Sequence, residues 1–334
     1  MSAARVAFAC DLGARACRAR ADLADIPALA PERGRPQNQP APRTREQESL
    51  GLSLGFLGVV IFAATLPSTR LAVPSLGPEF LTAARALIAG LIASAVLLSA
   101  RRPLPRRQFP RLAIAALCLV AGFPGFSSFA MRSLPAAHGG VIVGVLPLAT
   151  VVVAALVGRE RPSLSFWACA LLGALLVGGF ALRQGGGAPQ WGDGLLLLAI
   201  ASAALGYTLS GQLSREMPAR DVISWIVVLA LPLSAPLTLI YRPAEPSLVP
   251  LYAWACLAYL GAMSMYLGFF AWNAGMALGG VARVSQAQLA QPFITIGLSA
   301  LLLGERIDAE TIGFAALVVG LVFVGRRQRV AAAR

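Results

Sequence analysis

A segment of this chain is written twice. The first copy runs from Pro147-Leu148 through an apolar stretch to Arg159-Glu160-Arg161, and the second from Pro292-Phe293 to Gly304-Glu305-Arg306. Proline and glutamate stand 13 residues apart in both copies, and the copies are offset by 145 residues. A repeat of that period requires a fold assembled from two equivalent units. The apolar stretches say what those units are. From Leu50 onward ten spans follow one another, at about 52–71, 80–100, 112–131, 137–157, 164–182, 194–213, 222–241, 251–272, 281–303 and 309–326. Each approaches the ~20 residues that cross a hydrocarbon core about 30 Å thick. The connecting loops are short, so most backbone groups find partners inside helices, as a bilayer demands. The composition agrees: 57% of residues are hydrophobic and 13% charged, about half the charge of an ordinary soluble domain.

Orientation follows from arginine, which supplies every basic residue of the chain. With the N-terminus in the cytosol, the inside loops and C-terminal tail hold thirteen arginines and the outside loops five: Arg70, Arg132, Arg183, Arg242 and Arg306. Excess arginine marks the cytosolic side, so both termini are expected there. The formal net charge of +13 therefore reads as a topology signal. It does not point to nucleic-acid binding, because no basic patch falls on a polar domain. Ten spans divide five and five, and an odd number inverts the second half against the first. The expected fold is an all-α membrane protein of ten transmembrane helices, built as two inverted five-helix repeats. Residues 1–49 are polar and rich in Ala, Arg and Pro. They read as a disordered cytosolic tail or an over-extended start. The five cysteines form no C-x-x-C pair, and a single histidine, His138, leaves no His-based metal constellation. No cofactor is expected.

The second half carries Ala271-Trp272-Asn273, Ala282-Arg283-Val284-Ser285, Gln291-Pro292-Phe293 and Leu303-Gly304-Glu305-Arg306. In the first half Pro135-Ala136-Ala137, Leu146-Pro147-Leu148 and Glu160-Arg161-Pro162 form the parallel set, with Glu79-Phe80-Leu81 and Trp191-Gly192-Asp193-Gly194 opening other spans. On these residues the chain resembles the EamA-type members of the drug/metabolite transporter superfamily. The resemblance implies two tandem repeats, here 50–182 and 191–327, in a bacterial inner membrane. It also implies secondary transport of small metabolites, most commonly export of amino acids or related zwitterionic and anionic solutes. A cationic multidrug efflux carrier is one alternative. A membrane-embedded enzyme of lipid metabolism is another, disfavoured because acids and histidines are not clustered. No phosphate-binding G-x-x-x-x-G-K-[ST] occurs, so ATP is not expected to drive it.

Seven residues are candidates for a substrate pathway. Pro147 and Pro292 lie near the centres of spans four and nine, where a missing backbone donor frees carbonyls toward a cavity or hinge. Gln288 and Gln291 are three apart and share a face, with Trp272 and Asn273 just before them. Buried amides in lipid need partners, and these serve either a polar substrate or interhelical contacts worth ~0.6 kcal/mol each. Arg85 lies inside the second span, where a cation is costly and marks function unless it snorkels to an interface. Arg70, His138 and Arg283 read as interfacial. Glu160 and Glu305 read as caps paired with neighbouring arginines. Asp193 is expected in a loop, which leaves no carboxylate deep in any span. Proton antiport of cationic drugs through an embedded glutamate, as in the small exporters of the superfamily, is therefore not expected. The G-x-x-x-G pairs Gly51/Gly55, Gly140/Gly144 and Gly275/Gly279 read as close packing inside one bundle, with a homodimer as the alternative. The expected partners are a small-molecule substrate and the lipid bilayer.

Overall fold

The computed structural model describes residues 45–158, 161–184, 188, 190–214, 216–279, 285–327 and 330–331. The expectations for Glu160, for Arg283 and for the tail up to residue 44 lie outside them. The described chain is helical apart from a two-residue antiparallel pairing of Arg161–Pro162 with Val330–Ala331. Seven helices are long and apolar enough to cross a membrane: α1 (Arg45–Leu76), α2 (Pro78–Ser99), α3 (Phe109–Ala130), α4 (Ala136–Val157), α5 (Leu164–Gln184), α6 (Trp191–Leu213) and α9 (Leu251–Gly275). Between α6 and α9, α7 (Ala219–Leu229) and α8 (Leu231–Ile240) meet at a 43° bend. Pro232, in the first turn of α8, cannot donate to the preceding turn, which accounts for the bend. Two shorter apolar helices complete the bundle, α10 (Gln291–Leu303) and α11 (Ala309–Arg327). Large apolar side chains point outward along the bundle, among them Leu98, Leu164, Leu251 and Leu301, all more than 75% exposed. Lipid, not water, suits such a surface.

The helices pack through small residues. A methyl group added at Gly275 of α9 would meet backbone atoms of Gly51 and Gly55 on α1 at 2.5–2.8 Å. Gly140 and Gly144 of α4 face Thr295 and Pro292 of α10 in the same way. These glycines are thus used for close helix approach within a single chain.

Neither repeat proline sits inside an unbroken helix, which corrects their expected mid-helix placement. α4 is interrupted at Gly144-Val145, and its second segment, Leu146–Gly158, carries Pro147 as its second residue. Pro292 is likewise in the first turn of α10, after a short 3₁₀ stretch, Ser285–Ala290. The first turn is where a missing N–H removes no helical hydrogen bond. Each proline therefore starts a helical segment, and the break lies before it.

The duplication also appears in the backbone. α3 contains a π-helical stretch, Leu117–Gly122, and α9 another, Tyr259–Leu267. Advancing the first by the repeat offset places it inside the second. Polar contacts group the turns into two ends. At one, Arg111 holds Glu216 through both guanidinium Nη atoms at 2.7 Å, and Arg102 lies 3.4 Å from Asp221. The pairing with Arg111 holds the Glu216 carboxyl below its ordinary range. At the other, Glu305 reaches the start of α4, Arg183 of α5 pairs with Glu310 of α11, and Arg70 donates to the Met131 carbonyl at 2.5 Å.

Candidate functional site

One cavity of about 970 Å³ runs through the bundle. All seven residues singled out in the sequence line it: Arg85, Pro147, Trp272, Asn273, Gln288, Gln291 and Pro292. Its lining keeps the repeat. Thr65/Ser210, Leu119/Ser264, Val143/Gln288, Leu146/Gln291, Pro147/Pro292 and Thr150/Thr295 are pairs at the same offset, both members on the wall. Helices of both halves therefore present equivalent positions to one space. The pairs also show where symmetry is broken. The amides Gln288 and Gln291 oppose Val143 and Leu146, and Arg85 corresponds to Ala230, which is absent from the wall. One end of the lining reaches Ser214 and Ala219, beside the turn that carries Glu216.

Arg85 is the one charged residue of this described lining. It sits on α2 at 2% exposure, too deep to snorkel to an interface. Its Nη2 lies 3.4 Å from Ser264 Oγ, and that hydroxyl shares a 2.7 Å hydrogen bond with Thr65 Oγ1. Nε and Nη1 are buried without a partner, and among the described residues no carboxylate pairs with the guanidinium. A buried cation with two unsatisfied donors is an unfinished interaction. An anion entering the cavity would complete it through paired N–H donors.

Aromatic rings form the neighbouring wall. Phe62 and Phe269 lie 5.0 Å apart at 59°, and Tyr207 stands 6.3 Å from Phe269. Trp272, 8% exposed, packs on Val59 and Phe62, and its backbone approaches Gly58 so closely that an added methyl would lie 3.1 Å from it. Thr295 Oγ1 donates to the Ala63 carbonyl at 2.9 Å, an acceptor that Pro67, four residues on and without an N–H, cannot serve. Trp272 and Asn273, both candidates for the pathway, line the cavity. Both belong to α9 and face the interior.

Arg70, read as interfacial, does not line the cavity; it ties α1 to the end of α3. Other readings change. His138 and Asp193 are buried inside the protein, and Asp193 is in a helix, not in a loop. Asp193 is in the first turn of α6, and His138 Nε2 lies 2.6 Å from Asp193 Oδ1. Glu305 caps a helix, but one from the other half: its oxygens accept the N–H groups of Ala136 and Ala137 at 2.7 and 2.9 Å. Gly304 closes α10 with φ +66°, a left-handed conformation that suits glycine, and turns the chain toward α4. Thr65, Ser264, Tyr207 and Phe269 were not singled out in the sequence. Only the repeat offset, which pairs Thr65 with Ser210 and Phe62 with Tyr207, carries a trace of them.

Comparison with known proteins agrees with this architecture. Residues 49–180 and 190–326 each match the EamA-like transporter family. A Bacillus subtilis (strain 168) protein, the uncharacterized transporter YdeK, is 42% identical over 274 residues, covering 82% of this chain and 96% of its own. A crystal structure of a protein 21% identical in sequence superposes with a TM-score of 0.57, covering 83% of this chain and 95% of the other. That likeness speaks to the fold alone. Two tandem family matches, spaced as the internal repeat is spaced, leave one conclusion: this chain belongs to the EamA-like transporter family.

Proposed function

We propose that the protein is a secondary transporter that exports small carboxylate-bearing metabolites, amino acids or related zwitterionic and anionic solutes, across the bacterial inner membrane. Arg85 carries the reading. A buried guanidinium with two unpartnered donors on the cavity wall asks for an anionic group. The amides of Asn273, Gln288 and Gln291 offer neutral polar contacts to the remainder of the solute, and the aromatic wall accommodates its apolar part. A cavity of about 970 Å³ is ample for such molecules. The alternative, efflux of cationic drugs, is disfavoured by the same charge: an uncompensated arginine repels a cation, and the described lining offers no carboxylate to bind one.

The seven long helices, the bent pair and the two shorter apolar helices support ten crossings as two inverted five-helix repeats, the arrangement that lets a central site face either side in turn. The arginine-rich loops beside the end of the lining at Ser214 and Ala219 support a cytosolic position for that end and for both termini. The conformation is then inward-facing. A topology reporter fused after Arg334 is expected to read as cytosolic; a periplasmic reading would overturn the inverted arrangement. Transport itself is tested by counterflow in proteoliposomes with labelled amino acids, organic acids and one cationic drug. Saturable exchange of an acid is expected, and flux of the drug alone would contradict the assignment.

A further inference from the structure

The end of the bundle away from the cavity mouth is held by a buried polar cluster that the proposed substrate path does not use. His138 lies in the first turn of α4 and Asp193 in the first turn of α6, at 5% and 4% exposure. Their 2.6 Å contact engages one carboxylate oxygen, and the other accepts the Gln190 N–H at 2.9 Å. The imidazole stacks on Phe180, centroids 4.9 Å apart, in an apolar cluster that contains Leu134 and Leu196. Glu305 binds the N–H groups at the same terminus of α4. The imidazole thus stands at a helix start served by two carboxylates. Neither His138 nor Asp193 lines the cavity.

The surrounding charged and titratable groups are otherwise engaged or displaced. Arg70, from α1, donates to the Met131 carbonyl. Arg183 of α5 pairs with Glu310 of α11, and Asp308, before α11, accepts from Thr311 and Gln184. Arg132 is exposed in the turn before α4. α10 brings no charge within its length. Tyr207 lies farther along α6, at the cavity, and Cys169 on α5 is a buried thiol. Among the described residues none of these pairs with His138 or Asp193.

We propose that His138 and Asp193 form a proton-binding site, separate from the substrate cavity, that latches this end of the bundle when His138 is protonated. With Nε2–H donated to Asp193, the proton is gained and lost at Nδ1. The neutral imidazole leaves Asp193 as a net negative charge in an apolar cluster, which burial penalises. The imidazolium makes the pair internally compensated. The helix terminus opposes a cation there, and Glu305 offsets that field. Opening this end admits water and removes the penalty. Acid therefore favours the closed form and deprotonation the open one.

The latch rests on the reading that the two ends open in turn, and its test needs no substrate. Spin labels at Ser133→Cys and Ser247→Cys, both in exposed turns, on the full chain with its native cysteines replaced, report the separation across this end by pulsed electron resonance in liposomes. The expected result is a population at larger separation that grows as pH rises from about 5 to 8 and becomes pH-invariant in His138→Gln. Asp193→Asn, which retains an acceptor for Gln190, is expected to remove the pH dependence too. A wild-type separation that ignores pH, or a pH dependence that survives in His138→Gln, overturns the latch. Counterflow of labelled acids alongside a pH-invariant separation sinks the latch and spares the carrier. A pH-dependent separation without acid counterflow does the reverse.

Discussion

A guanidinium buried at 2% exposure with no carboxylate beside it among the described residues is costly to keep, and that cost is what makes Arg85 informative. Ser264 meets it at 3.4 Å and is itself held by Thr65 at 2.7 Å, but these hydroxyls supply no counter-charge. Its charge inside an apolar run made Arg85 legible from the sequence alone. Thr65 and Ser264 were not legible, because hydroxyl residues are common in membrane helices, where they satisfy their own helix backbone. Thr69, Ser94 and Thr150 do just that here. The His138–Asp193 pair was missed for a different reason. Its members are 55 residues apart, and each, taken alone, reads as a polar residue near the end of a span. Only the folding of α4 against α6 turns two interfacial residues into one buried unit.

At the scale of helices, the apolar runs predicted an all-α fold and the reading of the prolines misjudged where helices are interrupted. Proline was read as bending a continuous helix. In the fold it begins a fresh segment after Gly144-Val145 and after the 3₁₀ stretch Ser285–Ala290, because the first turn is where proline loses nothing. The π-helical stretches of α3 and α9 leave no signature in apolar periodicity, so they were invisible until the backbone was seen. Glu305 shows how one element is secured by another. It neutralises two free N–H groups at the start of α4 with charge-assisted bonds. Glu305→Ala is expected to lower stability by about 2 kcal/mol, read as a fall in melting temperature in detergent. Glu305→Gln, which can satisfy one N–H but brings no charge, is expected to fall between. An unchanged melting temperature for the alanine variant would show that the cap contributes little.

Over the whole molecule, two halves close on one cavity whose wall carries many residue pairs at the 145-residue offset. Symmetry supplies the common frame, and its violations supply chemistry: a cation from the first half, amides from the second. The halves and the apolar spans were legible because burial in lipid writes them as long uniform stretches. Which faces meet at the centre was legible only at charges, amides and prolines. The role proposed for Arg85 is to bind the carboxylate of the solute. It is tested most directly by comparing inhibition of counterflow by a transported acid and by its methyl ester, in wild type and in Arg85→Ala. A charge-assisted hydrogen bond of about 1.5–3 kcal/mol predicts that wild type prefers the acid by roughly tenfold to a hundredfold. Arg85→Ala, folded and inserted in normal yield, is predicted to lose that preference. Equal discrimination by both proteins would contradict the claim and place carboxylate recognition elsewhere on the cavity wall.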